Sequence, residues 1–199
     1  MNGRRTVPED GRGVYPPRED TFLLLPFARV APGVAVLEIG TGSGLLALEA
    51  ARSGACVVAT DLNRAALARL RRLAAAESLP VTPVRTDLAR GLGAFDRVLA
   101  NPPYLPTRPE ERDPDPAHNL ALDGGPDGLR VTRRLVAELP VHLRPRGEAY
   151  LVVSSRQDPD GLARIRAVWS GHGRVDEAAE RRLEGETLRV WRLARSGPA

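Results

Sequence analysis

The chain has 199 residues, of which 42% are hydrophobic and 27% charged, with a formal net charge of +4. That length suits one domain with a substantial core, and no stretch reaches the ~20 uninterrupted apolar residues of a membrane helix. Every basic residue is arginine, which favours planar anions; because coding bias alone can produce the same usage, it is only a weak pointer to a nucleic-acid or ribosome-linked partner.

The opening MNGRRTVPEDGRG lacks the apolar segment of a secretory leader, so a cytoplasmic protein without a membrane anchor is expected. Residues 1–13 read as a mobile segment ahead of a single domain over 14–199. In VYPPREDTFLLLPFARV, Glu19, Asp20 and Thr21 precede an apolar cluster, which predicts a helix from about Asp20 to Val30. Asp20 and Thr21 serve either to cap that helix or to meet a ligand.

Val34 to Ile39 predicts a fully buried strand and Leu45 to Arg52 a helix, joined by Gly40-Thr41-Gly42-Ser43-Gly44. A glycine-rich turn between strand and helix lets a ligand approach the backbone. The spacing is not the GxGxxG of dinucleotide binding, because Leu45 and Leu46 follow Gly44. The form is ExGxGxG, the pattern used for S-adenosylmethionine.

A second strand, Cys56 to Ala59, leads to Thr60-Asp61-Leu62-Asn63 and a helix reaching about Glu77. Asp61 at a strand's carboxyl end suits the two hydroxyls of a ribose, the alternative being a cap for the following helix. Cys56, in the apolar run ACVVAT, is expected to be a buried structural thiol. A third strand, Val81 to Thr86, ends at Asp87-Leu88, where a carboxylate suits an exocyclic adenine amine or, again, a helix cap.

The fourth strand, Phe95 to Ala100, breaks into Asn101-Pro102-Pro103-Tyr104. Two prolines fix φ and remove two donors, leaving carbonyls to accept hydrogen bonds beside the Asn101 amide. The set suits gripping a planar NH2 group; its bland reading is a turn. The segment from Leu105 to Gly128 is rich in proline and acid and reads as a long aperiodic loop over the active edge.

A helix over GLRVTRRLVAELPVHL, interrupted near Pro140, follows, with Arg133-Arg134 read as a solvated face. Then come a strand from Gly147 to Ser154, a helix from Gly161 to Trp169, and strands at about Arg174 to Ala178 and Thr187 to Leu193. Alternating strands and helices closed by two adjacent strands predict an α/β fold with a largely parallel sheet and a terminal hairpin. The histidines His118, His142 and His172 have no metal-ligand spacing, so no metal is expected.

The motifs VYPPREDTFLLL, LEIGTGSGLLAL, TDLN, TDL, NPPY, ALDGGPDGL and GETLRVWRL, in that order from about Val14 to Leu193, resemble the HemK/PrmC-type family of protein-glutamine N5-methyltransferases. The similarity is to the short form of eukaryotes and archaea, without the N-terminal helical domain of bacterial release-factor enzymes. The resemblance implies the class I methyltransferase sandwich, seven strands in the order 3-2-1-4-5-7-6, with S-adenosylmethionine as cofactor. By matching positions, Glu38, Gly40 and Gly42 would contact its methionine part, Asp61 the ribose, and Asp87 with Leu88 the adenine. Thr21 and Asn101 would also border the cofactor. Asn101, Pro102, Pro103 and Tyr104 would bind the substrate amide, with Asn101, Pro102 and Tyr104 in the catalytic role.

The implied reaction is methyl transfer to a glutamine side-chain nitrogen, most naturally in a peptide-chain release factor. Because that nitrogen's lone pair is delocalised, catalysis rests on positioning. NPPY also serves adenine-N6 methyltransferases on RNA or DNA, which present nearly the same conjugated NH2 group. The flanking EDT and GGPDG motifs favour glutamine. A non-catalytic S-adenosylmethionine-binding subunit is a further alternative. The short family form also implies a small zinc-binding activator that pairs with the sheet edge, and Pro83 suits an edge strand.

Overall fold

The computed structural model describes residues 14–197; the expected mobile segment at residues 1–13 lies outside the described residues. Seven strands form one sheet in the order β3-β2-β1-β4-β5-β7-β6. They are β1 (Ala35–Ile39), β2 (Cys56–Asp61), β3 (Val81–Arg85), β4 (Phe95–Ala100), β5 (Leu143–Ser154), β6 (Gly173–Leu183) and β7 (Glu186–Arg195). The first five pair in parallel, while β7 runs antiparallel between β5 and β6. This is the class I methyltransferase arrangement expected from the sequence.

Parallel strands in the middle of such a sheet are covered on both faces, which is why they read as unbroken apolar runs. Alternate side chains divide between two cores. Leu37, Val98, Leu151 and Leu193 join a cluster with Leu135, Leu139 and Trp169 from the helices α5 (Arg130–His142) and α6 (Pro159–Trp169). Val36, Leu99, Val152 and Val190 join Leu24, Leu48 and Leu70 from α1 (Glu19–Leu24), α2 (Leu45–Arg52) and α3 (Arg64–Ala76) on the other face.

Several expectations need correction. The first helix stops being α-helical at Leu24 and tightens into a 3-10 turn over Leu25–Ala28, because Pro26 enters at its start. Cys56 is exposed. It opens β2 at the amino end of the sheet, and the covering begins only with Val57. Helix α5 runs unbroken through Pro140, which lies within two residues of its end and therefore loses one hydrogen bond without terminating the turn.

The segment after NPPY is not an aperiodic loop. It holds a 3-10 turn at Pro109–Glu111 and the helix α4 (Pro116–Leu122), started by Asp115, whose side chain accepts from the Ala117 N–H, with Pro116 in the first turn. Asp-Pro at a helix start is a readable signal, hidden here among other acids and prolines. The two terminal strands are longer than expected, with an irregularity between Glu177 and Ala179.

Leu99 is fully buried on β4, immediately before the NPPY turn. Leu99→Ala is expected to cost about 2–5 kcal/mol of stability through lost transfer energy and a residual cavity. Urea denaturation of the two proteins checks this; a loss below about 1 kcal/mol would mean that this face of the sheet collapses freely around the deletion.

Candidate active site

Strand register assembles the site. Ile39 pairs with both Thr60 and Ala100, so one residue further along each strand Gly40, Asp61 and Asn101 stand at the same level. Asp61 in turn pairs with Arg85, which brings Thr86 and Asp87 to the same edge. Strand β1 is flanked by β2 and β4, where the order of the sheet reverses, and open α/β sheets bind ligands at that crevice.

Two adjoining cavities lie there. The first, of about 110 Å³, is bordered by Thr21, Glu38, Gly42 and Tyr104; the second, of about 520 Å³, by Asp87, Leu88, Asn119 and Arg134. Gly40, Asp61, Asn101, Pro102, Pro103 and Leu120 border both. Helix α4 contributes to the walls of both cavities from the segment above the strand ends.

Gly40 has φ +73, and a methyl group placed on it would find nothing within 4 Å. Gly40 borders both cavities, and its positive φ disfavours any side chain there although the space beside it is open. Beneath it, the Glu38 carboxyl is buried; its Oε2 accepts from Thr41 Oγ1 at 2.6 Å and from the Ala47 N–H at 3.1 Å. One carboxyl oxygen therefore ties the glycine turn to the first turn of α2. Burial pushes the Glu38 carboxyl up to about 8, outweighing the two hydrogen bonds, and the nearby Asp61 adds to the rise.

Asp61 accepts from the Gly42 N–H at 2.9 Å and from the Asn63 N–H at 2.8 Å, one on each oxygen. Burial raises its carboxyl above the ordinary range despite these bonds. The cap of α3 is the Asn63 side chain, which accepts from the Ala65 N–H. Asp61 is thereby relieved of the capping role that the sequence left open, and faces both cavities.

Asn101 carries the most telling atom. Its Oδ1 is buried and has no hydrogen-bond partner among the described residues. An orphaned buried acceptor costs about 1–3 kcal/mol, and this one belongs to a wall common to both cavities.

Asp20 is the functional candidate that the sequence left undecided. Only 2% exposed, it accepts from the hydroxyls of Tyr15 at 3.0 Å and Tyr104 at 3.1 Å on a single oxygen, Oδ2. Its Oδ1 takes both the N–H and the hydroxyl of Thr21. Thr21 therefore borders the first cavity with its hydroxyl proton already committed. Burial, and then the Asp20 charge, push the Tyr104 phenol well above its ordinary range, so it stays protonated. Nothing in local sequence marks Asp20 as an anchor for Tyr104, 84 residues away; only the fold does.

The ALDGGPDGL stretch braces the turn. Leu105 bridges to Asp123 in parallel, and the Gly124 N–H donates to the Leu105 carbonyl at 2.9 Å. Gly128 has φ +73, and a methyl group there would lie 2.4 Å from the Tyr104 carbonyl oxygen. Asp123, 4% exposed, lies between Arg112 at 3.0 Å and Arg130 at 3.1 Å. Burial opposes its charge, but the Gly125 N–H and the two guanidiniums outweigh it and hold the carboxyl below the ordinary range. Arg133 and Arg134 lie on the solvated face expected of them, where they form surface ion pairs with Asp127 and Asp87 respectively.

A family described as a methyltransferase domain matches residues 36–113. The chain is 40% identical over 184 residues to the release factor glutamine methyltransferase of Deinococcus radiodurans, a match covering 87% of the chain and 66% of that relative. Human methyltransferase HEMK2 is 35% identical over 205 residues, covering 94% of each. Among solved structures, the E. cuniculi Mtq2–Trm112 complex, responsible for methylation of the eRF1 translation termination factor, matches with a TM-score of 0.70. It is 29% identical over 93% of this chain and 99% of that one.

The titration of Glu38 has a testable consequence. With the folded-state carboxyl at about 8 against an ordinary 4.5, the folded protein holds an extra proton between those limits. Its stabilising contribution is complete below about pH 4.5 and is lost as pH rises through about 8. Glu38→Gln is expected to match the parent near pH 5 and to exceed it in stability at pH 9. Urea midpoints across that range test this, and parallel profiles would refute it.

Proposed function

The chain belongs to the HemK family of protein-glutamine N5-methyltransferases, and from that premise we propose that it transfers a methyl group from S-adenosylmethionine to a glutamine side-chain nitrogen in a peptide-chain release factor. The observation that carries the reading is Asn101, a residue that borders both cavities and whose buried Oδ1 has no hydrogen-bond partner among the described residues. Such an acceptor is satisfied by the N–H of an incoming amide. The open space beside Gly40 and the carboxylates at the strand ends fit an adenosine cofactor.

When bound, S-adenosylmethionine supplies an electrophilic methyl group on a sulfonium. Glu38, Gly40 and Gly42 hold its methionine part, Asp61 its ribose hydroxyls, and Asp87 with Leu88 its adenine. Thr21 and Asn101 complete the border. An ammonium beside Glu38 stabilises the charged carboxylate that burial otherwise disfavours.

On the substrate side, the Asn101 side-chain oxygen and the Pro102 carbonyl each accept one N–H of the glutamine amide. This fixes the nitrogen and stabilises the pyramidal character it gains as its lone pair turns toward the methyl. Pro103 holds the turn rigid, and Tyr104, tethered to Asp20, walls the amide. The amide nitrogen becomes acidic only once alkylated, so a histidine base is not required, and none of the described histidines borders either cavity.

The release-factor assignment is supported by the D. radiodurans relative, a release factor glutamine methyltransferase, and by the E. cuniculi complex, responsible for methylation of eRF1. That complex also supports a small activator subunit for this chain. Strand β3 is at one edge of the sheet and contains Pro83, which is compatible with an edge strand but has no N–H to offer an added one.

The deciding experiment incubates the protein with isotopically labelled S-adenosylmethionine and, separately, a release factor or total RNA, with mass spectrometry locating the label. Label on a release-factor glutamine is expected; label in RNA alone would overturn the reading in favour of adenine chemistry. Asn101→Ala is expected to reduce turnover by at least ~10²-fold while calorimetry finds cofactor affinity nearly intact. Asp61→Ala should instead lose cofactor affinity first, and normal affinity in that variant would remove the ribose assignment.

A further inference from the structure

Asp87 follows β3 in a turn where Leu88 adopts φ +51, a conformation bulky side chains rarely take. The turn is well ordered by its neighbours, since Leu88 is buried and Thr86 Oγ1 donates to the Arg90 carbonyl. The Asp87 side chain itself has one partner among the described residues. Arg134 NH2 donates to its Oδ2 at 2.7 Å, across 47 residues of chain. The adjacent Arg133 goes elsewhere, to Asp127.

Arg134 projects from a firmly held helix. Leu135, Val136 and Leu139 of α5 are buried in the core, and the buried Thr132 hydroxyl accepts from Gln157. Arg134 and Asp87 both border the larger cavity, with Leu88 and Leu135. Oδ2 is thus engaged by a guanidinium in an exposed ion pair, while Oδ1 has no hydrogen bond among the described residues. An ionised carboxylate only accepts hydrogen bonds. Placed against a purine, it accepts from an amine at the six-position and repels a carbonyl there.

The geometry points to Arg134 as a positioning residue that fixes the Asp87 carboxylate so that its free oxygen selects an adenine amine, making α5 part of the cofactor's base-recognition element. This rests on the adenine role proposed above for Asp87. Arg134 itself leaves the base untouched and acts through the carboxylate.

Calorimetric titration of the full chain with S-adenosylhomocysteine and with S-inosylhomocysteine, which differ in the amine or carbonyl at that position and in the N1 proton that accompanies the carbonyl, tests the assignment without turnover. The parent is expected to prefer the adenosine compound by roughly tenfold, the scale of one hydrogen bond to a charged group. Arg134→Met and Arg134→Gln should each narrow the ratio to about threefold or less, and Arg134→Lys should restore part of it. Thermal melts confirm that the variants fold, and Gln serves if Met does not. Equal weakening of both compounds, or an unchanged ratio, in a folded Arg134 variant overturns the positioning role. Asp87→Asn separates the two layers: a narrowed ratio there with an unchanged one in Arg134→Gln refutes Arg134 alone. An unchanged ratio in Asp87→Asn refutes the adenine reading of Asp87, and the inference falls with it.

Discussion

The pairing of β1 with β2 on one side and β4 on the other is the constraint on which the site depends. A parallel ladder fixes register along both neighbours at once, and a slip by one residue would turn every side chain to the opposite face. With Ile39 locked opposite Thr60 and Ala100, Gly40, Asp61 and Asn101 emerge level with one another from the sheet's carboxyl edge. The apolar residues that enforce this, among them Leu37, Val57, Val98 and Leu99, are almost wholly inaccessible. The core therefore positions the polar groups as well as stabilising the fold.

Above that edge, polar groups support one another in pairs drawn from distant parts of the chain. Glu38 ties the glycine turn to α2, Asp61 receives the Gly42 N–H, and Asp20 joins Tyr15 to Tyr104. Each carboxyl spends oxygen lone pairs on the scaffold, and Asp20 takes two donors on each of its oxygens. Asn101 differs, because the scaffold leaves its buried oxygen without a donor. Among the described residues that border the cavities, Asn101 is the one whose buried side-chain oxygen is left unmatched.

The segment between NPPY and α5 connects these features. An isolated parallel bridge joins its Leu105 to Asp123, and the Arg112–Asp123–Arg130 cluster holds it. Few of its own side chains are buried, and α4 has none. Its low burial contrasts with the strand ends below it, which continue from fully buried residues such as Leu99.

Much of this was legible in the sequence. Buried parallel strands announce themselves as apolar runs, the glycine turn as ExGxGxG, and the abrupt Asn-Pro-Pro-Tyr as a rigid strand ending, because each signal is local and fixed by backbone stereochemistry. Exposure of Cys56 at a strand's first residue, continuity of α5 through Pro140 and a helix inside an acidic, proline-rich stretch were not, since end position and packing override composition there. Local sequence is equally silent on long-range pairs. That Asp20 anchors Tyr104, that Arg134 takes Asp87, and that Asn101 keeps an unmatched buried oxygen follow from which distant groups the fold brings within hydrogen-bonding distance. The sequence by itself determined which residues stand at the strand ends; only the tertiary structure decided which of their atoms are already satisfied and which remain to meet a ligand, because hydrogen-bond satisfaction is a property of the assembled fold.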